Sequence, residues 1–435
     1  MTAVLHIDTP AEARQRRMAL FALFVVSAFN YFDRTILSVL QIPIKTELGL
    51  SDGQLGALTG FTFALFYATL SLPIARLADR YNRRIIVAIS LAIWSAMTAL
   101  CGFATGFASL AFFRIGVAIG EAGSVPASVS LIADYYPPHR RAMAVSVWGL
   151  ALPAGLLIGY GSIGALANAV GWRLAFAIVG GIGVLIAPLV LAMVGNPIRG
   201  RLDGAGAKAA AVPPLPLGQA LALLWRTPAY RWVAIAGMFH GFSQYAMMTW
   251  NAPFFVRTHH LSLRDVSFLM ALLSGVAGAI GMYGSGWLTD RLAIHDRRWR
   301  VWIMGASVAA TVPCALVQYL ASSTNVSIVA AGFSSMLMIA YYGPIVAATQ
   351  SAVPPTMRAF GNAMLLLTFN LFGLGLGPLA AGALSDWLNP TFGDDALRYA
   401  LVLVLAPSVL AAGLFFYAGR YWQNETVADK EPLHA

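Results

Sequence analysis

A chain of 435 residues that is 59% hydrophobic and only 11% charged, with a mean hydropathy of +0.71, lies outside the soluble globular class, in which charged residues make up about 25%. Its net charge of +10 invites a nucleic-acid reading, but the bases lie in short segments between apolar runs, which is a topological pattern. The sequence has no Gly-x-x-x-x-Gly-Lys-Ser/Thr phosphate loop, no His-Glu-x-x-His pair and no cysteine cluster, so a primary pump, a metalloenzyme, a metal centre and a cofactor are not expected.

Apolar runs lie near 18–42, 53–75, 85–104, 107–132, 142–165 and 172–194, then near 231–256, 266–288, 301–321, 325–350, 360–384 and 397–420. Each is long enough to span about 30 Å of hydrocarbon. The reading is an all-α membrane protein with twelve transmembrane helices in two six-helix bundles. The first run follows Arg14, Arg16 and Arg17, but it is too long for a signal-peptide core and no small-residue cleavage site follows, so it is read as a retained helix. The boundaries are 1–195 for the first bundle, 196–230 for a linker, 231–420 for the second bundle and 421–435 for a tail. The linker holds Val212-Pro-Pro-Leu-Pro, and its end, from Leu217 to Trp225, is expected to lie as a helix on the membrane surface. Cys101 and Cys314 fall inside spans and read as small hydrophobes.

With both termini cytoplasmic, 21 of the 28 Lys and Arg fall in inside segments and five outside: Lys45, Arg173, Arg257, Arg264 and Arg398. The positive-inside rule therefore predicts cytoplasmic termini and a cytoplasmic linker. The two bundles echo each other. Ala75-Arg-Leu-Ala-Asp-Arg follows span two and Gly286-Trp-Leu-Thr-Asp-Arg follows span eight, so Asp79 and Arg80 match Asp290 and Arg291. Tyr136-Pro-Pro-His-Arg-Arg-Ala and Val353-Pro-Pro-Thr-Met-Arg-Ala occupy matching loops after spans four and ten. Parallel repeats of this kind place a substrate site near the midplane.

The Asp-Arg-x-x-Arg-Arg loop after span two resembles the signature of the major facilitator superfamily, with Ala75 and Asn82 in place of its two glycines. Asn tolerates the left-handed backbone that the second glycine supplies, so the turn is expected to survive. Asn30-Tyr-Phe-Asp-Arg in span one, Pro73-Ile-Ala-Arg-Leu-Ala-Asp-Arg, and Arg114-Ile-Gly-Val-Ala-Ile-Gly-Glu-Ala in span four are similar to the spinster branch of that superfamily. Animal members of that branch move lysophospholipids and sphingosine 1-phosphate. The short loops suggest a bacterial member, and with it a bacterial inner membrane. The resemblance implies a cytoplasmic latch in which Asp79 accepts from the start of span eleven and Arg83 or Arg84 reaches Asp134. In the second bundle Gln350 and Ser351 stand where Asp134 would correspond, so that copy is expected to be weaker.

Asp33, Arg34, Arg114 and Glu121 are ionisable residues inside spans one and four, where each costs at least ~2.5–3.5 kcal/mol on insertion scales. Arg114 and Glu121 are seven apart and share a helix face. Asp33 and Arg34 point about 100° apart, so either can face span four. Burial drives a carboxylate toward its neutral form and a nearby Arg reverses that, which suits a titrating pair. Asp33 and Glu121 are the candidate proton carriers, and Arg34 and Arg114 the candidates for ion pairing or for an anionic substrate group. The competing reading is an ion-pair network that only orients helices. Tyr31, His240, Gln244, Tyr245, Asn251, Tyr341, Tyr342 and Asn370 are candidate cavity residues, each of which on its own reads equally as packing. Glycines 373, 375, 377 and 382 with Pro378 in span eleven, Pro126 in span four and Pro153 in span five are expected to allow close packing or bending.

The resulting expectation is a monomeric, proton-coupled secondary transporter for an anionic amphipathic substrate of lysolipid or sphingoid-phosphate type. A symporter of a small organic anion and a transport-inactive membrane sensor are the alternatives.

Overall fold

The computed structural model describes residues 9–198, 202, 216–354 and 357–422. Among these residues every regular element is helical, and nine stretches are long and apolar enough to cross a membrane. Two of the nine hold two crossings each. Met143–Met193 runs for 51 residues and Phe360–Trp422 for 63, against the roughly 20 that one crossing needs. The first pair divides at Gly171 (φ 79, ψ 162) and the second at Gly393 (φ 53), left-handed backbone that glycine enters without a Cβ clash. Pro228–His259 is a further helix of 32 residues, made less apolar by His240, Gln244 and Asn251. The twelve spans expected from the sequence are therefore present.

Some spans break four residues before a proline, whereas Pro43, Pro73, Pro188, Pro253, Pro313 and Pro390 sit inside continuous helices. A proline inside a helix removes the N–H that would bond to the residue four back and drives its ring toward that carbonyl. Four residues before Pro126 is Ala122, and span four divides there into Phe107–Glu121 and Ser124–Tyr135. Four residues before Pro153 is Gly149, where the helix Pro138–Gly149 ends. Pro344 acts the same way on span ten, which divides into Thr324–Ile339 and Tyr342–Ala352. Spans two, eight and eleven contain π-helical stretches, at Ala57–Phe61, Leu272–Ala277 and Phe369–Leu376. Such wider turns collect at functional positions, and the third coincides with the glycine run of span eleven.

Cα packing divides the chain into two units that are not consecutive in sequence. The first comprises Met1–Ile36, Phe66–Gly159 and Ala169–Ala211; the second comprises Leu37–Leu65, Tyr160–Asn168 and Val212–Ala435. In the first unit, span three (Arg83–Cys101) packs on both pieces of span four. Gly120 permits that contact, because a Cβ there would lie 2.6 Å from the backbone nitrogen of Trp94. In the second unit, span seven packs on span twelve, and span nine (Trp299–Leu320) on spans ten and twelve, around Val233, Met304, Val308, Ile345 and Phe415. The linker helix Leu217–Arg226 forms as expected, burying Ala220 and Leu224 and exposing Leu221 and Trp225.

Candidate functional site

Span one is one helix, Pro10–Leu48. In the first unit it carries Asp33 and Arg34 to the level where span four breaks. Arg34 turns toward span four, and its Nε and Nη2 donate to Glu121 Oε2 at 3.0 and 2.8 Å. Glu121 is completely buried while a quarter of the Arg34 side chain is accessible. The second oxygen, Glu121 Oε1, is buried with no hydrogen bond among the described residues. Tyr31 and Tyr67 flank the guanidinium, with ring centroids at 5.7 and 5.3 Å, close enough for cation–π attraction.

Asp33 takes the other side of the helix. It is wholly buried, with neither carboxylate oxygen hydrogen-bonded among the described residues, beside Thr98 of span three and within the fields of Glu121 and Arg114. Arg114 is 3% exposed, and the Cys101 thiol lies in the field of both Asp33 and Arg114. The two acids thus occupy two neighbouring settings: Glu121 with Arg34 and two tyrosines, Asp33 with Arg114 and Thr98. The break made by Pro126 falls immediately after Glu121, so the acid ends its helical segment.

At the end of span three, Arg83 rather than Arg84 reaches Asp134. Arg83 Nη1 donates to Asp134 Oδ2 and to Ser130 Oγ, and Nη2 donates to the Pro197 carbonyl at 3.0 Å. Arg83 is 1% exposed. Asn82 keeps an ordinary backbone (φ −69, ψ 109) instead of the left-handed one that its glycine counterpart suggested. It caps span three, its side chain accepting from the Arg84 N–H. The side chain of Asp79 lies outside the described residues, and Arg80 is exposed. In the matching loop of the second unit Asp290 is exposed, and Arg291 lies over the Trp287 ring at 5.3 Å. Arg358 donates to the Gln350 carbonyl at 3.0 Å, so here the arginine closes a helix end instead of an ion pair.

The second-unit polar candidates form two groups. His240 Nε2 lies 3.1 Å from the Met338 carbonyl, and its ring meets Tyr341 edge-on at 4.4 Å. Tyr341 stacks on Phe369 and lies edge-on to Tyr342, Tyr245 Oη donates to Asn370 Oδ1 at 3.2 Å, and Gln244 is buried in the same helix. Asn251 belongs to a separate network, its Oδ1 accepting from Gln318 Nε2 at 2.9 Å and Tyr319 Oη at 2.7 Å. That network ties span seven to span nine.

One charged cluster was not anticipated. Asp52, at the start of span two, accepts from Lys45 Nζ at 2.6 Å, from Arg257 at 2.5 and 2.6 Å and from Ser385 Oγ at 2.7 Å. Asp386 in turn accepts from the backbone N–H groups of Asp52 and Gly53 at 2.9 and 2.7 Å. All of these residues belong to the second unit. The available signal was the spacing Gly382-x-x-x-Asp386, which copies Gly286-x-x-x-Asp290.

The family model of the Major Facilitator Superfamily matches residues 23–374. An "MFS-type efflux pump" of Mycolicibacterium smegmatis (strain ATCC 700084 / mc(2)155) is 35% identical over 93% of this chain and 92% of its own length. A "Probable L-galactonate transporter" of Escherichia coli (strain K12) is 29% identical over 64% of this chain and 62% of its own. Among solved structures, a bacterial homologue of the human lysosomal transporter spinster, in an inward-facing and unoccupied conformation, superposes with a TM-score of 0.84 at 28% identity, covering 98% of this chain and all of that one.

Proposed function

The chain belongs to the Major Facilitator Superfamily and is a transporter of spinster type, not an enzyme; from that premise we propose that it is a secondary active transporter driven by protons, moving an anionic amphipathic substrate by alternating access. The observation that carries this reading is the pair of Arg34 and Glu121. A carboxyl removed from water keeps its charge only while a cation compensates it. Glu121 has that cation on one oxygen, while its other oxygen is buried and without a hydrogen bond among the described residues. A proton taken up on that oxygen neutralises the acid and releases the two Arg34 donors. A planar guanidinium that turns two N–H groups from Glu121 toward a ligand is matched to a carboxylate or phosphate. The partial accessibility of Arg34 against the complete burial of Glu121 supports this division of labour. Asp33, buried in the field of Arg114 with neither oxygen hydrogen-bonded among the described residues, is the second acid, through which the proton passes or the helices are held.

The amphipathic substrate class is supported by the aromatic and amide character of His240, Gln244, Tyr245, Tyr341 and Asn370. A relative named as an efflux pump supports export as the direction of transport. On the topology read from the arginines, both termini and the 196–230 segment are cytoplasmic; the short loops fit a bacterial inner membrane, and the proposed working unit is a monomer of two rocking six-span repeats, 1–195 and 231–420. A small organic anion is the second reading, supported by the relative named as an L-galactonate transporter.

The experiment is flux into proteoliposomes under an imposed pH gradient, with lysolipids, sphingoid phosphates and small sugar acids offered in turn. Accumulation of a lysolipid or sphingoid phosphate that collapses with the gradient is the expected result. Accumulation of sugar acids alone selects the second reading, and flux indifferent to the gradient overturns proton coupling.

A further inference from the structure

The spacing that marks the loop after span two occurs four times, once at the end of each of spans two, five, eight and eleven. The copies are Ala75-Arg-Leu-Ala-Asp79, Gly164-Ala-Leu-Ala-Asn168, Gly286-Trp-Leu-Thr-Asp290 and Gly382-Ala-Leu-Ser-Asp386. Each is a small residue, any residue, leucine, a small residue and an acid or its amide. Spans two and eight run toward the side of the termini on the proposed topology, and spans five and eleven run away from it. Two copies therefore face each side, as expected if each six-span repeat contains inverted three-span units.

The two copies that face away from the termini lie in the second unit, and their contacts show what the spacing does. In span eleven the small residue and the acid grip the same partner. Gly382 lies where a Cβ would collide with the Asp52 carbonyl. One turn further on, Asp386 accepts the N–H groups of Asp52 and Gly53. The first two free N–H groups of span two are thereby satisfied by another span, at the positive end of its helix dipole. Span five meets the start of span eight in the same way. A Cβ at Gly164 would lie 2.5 Å from the Leu263 carbonyl, and the Gly164 N–H donates to Ser267 Oγ at 2.9 Å. The terminal residue of that copy is Asn168, which is exposed.

The two contacts therefore differ in kind. The span five contact is neutral close packing. The span eleven contact is ionic, because Asp52 also binds Arg257 of span seven through both carboxylate oxygens and Lys45 of span one through one. We infer that Asp386, Asp52 and Arg257 form the outer latch of the transport cycle, a charged counterpart of the cytoplasmic signature, and that its rupture is the event that frees the start of span two from spans seven and eleven. Close packing of glycine on backbone reforms without a charge and sets the geometry; the ion cluster sets how long the contact lasts. Asp386 and Arg257 act as positioning residues, since neither is part of the acid–base pairs of span one and span four.

This inference rests on the alternating-access reading, but its test needs neither a substrate nor a proton gradient. In the full chain, with Cys101 and Cys314 replaced by serine, spin labels are placed at Thr46 and Thr391, both exposed, and the distance distribution is read by double electron–electron resonance in nanodiscs. Asp386→Ala and Arg257→Ala should each shift the ratio of longer to shorter distances upward by about 5–150-fold, the range of a typical coupling between sites. Lys45→Gln removes one cation from a side chain that is one-third accessible, and should shift the ratio in the same direction by less. Distributions indistinguishable from the parent in both alanine variants overturn the latch. Should those variants fail to fold, an unshifted distribution in Lys45→Gln overturns it as well. A failure of proton-driven flux with the distance shift present removes the proton reading and leaves the latch intact.

Discussion

Arg34 spends two nitrogens on a single oxygen of Glu121, at 3.0 and 2.8 Å, and leaves the other oxygen without a hydrogen bond among the described residues. The pair is unequal, because the acid is buried and the base is partly accessible. Removing one partner of a buried pair leaves the other uncompensated, at a cost of about 3–5 kcal/mol. Arg34→Ala should therefore lower the unfolding temperature and weaken substrate binding. Adding Glu121→Gln to it should restore much of the stability but none of the binding. A double-mutant cycle on thermal unfolding measures this, and additive losses would show that the two residues do not interact.

The choice of Arg83 over Arg84 for Asp134 makes a second prediction. Arg83 is 1% exposed and holds Asp134, Ser130 and the Pro197 carbonyl together. Arg83→Ala should destabilise by about 3–5 kcal/mol, as expected when a buried ion pair loses one member. Arg84→Ala removes no bond to Asp134 and should stay within about 0.5 kcal/mol of the parent. Fluorescence-detected thermal unfolding of the purified variants separates the two.

Pro126 should set stability against function. Alanine there restores the N–H that can bond to the Ala122 carbonyl and lets span four continue past Glu121. Proline in a helix interior costs about 3 kcal/mol, so Pro126→Ala should raise thermal stability while flux falls, because Glu121 no longer ends its helical segment. A variant with raised stability and unchanged flux would show that the break is incidental to transport.

The orientation is tested by labelling. Single cysteines replacing Asp394 and Asp203, in a background without native cysteine, should react with a membrane-impermeant maleimide from outside at 394 and only after permeabilisation at 203. Labelling of position 203 in intact cells contradicts the assignment made from the basic loops.

Much of this molecule is legible in its sequence because the membrane leaves few options. Apolar runs of fixed length give the spans, and the cost of intramembrane charge singles out Asp33, Arg34, Arg114 and Glu121. What periodicity leaves open is which of two neighbours faces a given helix. Asp33 and Arg34, like Arg83 and Arg84, are adjacent and point about 100° apart, so packing decides which one pairs. The proline breaks were legible as bending points at Pro126 and Pro153, and four-residue arithmetic then places each break. The cluster on Asp52 was not legible. Each of its charges lies at the end of a span, where charge is ordinary, and its partners are 205 and 334 residues away. The Gly382-x-x-x-Asp386 spacing marks one member of the cluster, but no local pattern names the partner it grips. Asn251 shows the opposite limit: a polar residue in a span that reads as cavity lining has its oxygen taken by Gln318 and Tyr319.

In the proposed cycle protons move on the buried acids of spans one and four, and Glu121→Gln isolates that step. The amide keeps the shape of the side chain and cannot titrate. In proteoliposomes with an imposed pH gradient, Glu121→Gln should lose gradient-driven accumulation while exchange of labelled for unlabelled substrate continues. Asp33→Asn, measured beside it, should lose either accumulation alone or binding as well, and the outcome assigns its role. If both variants accumulate substrate under the gradient as the parent does, protons do not travel on these acids and the network serves only to orient the helices.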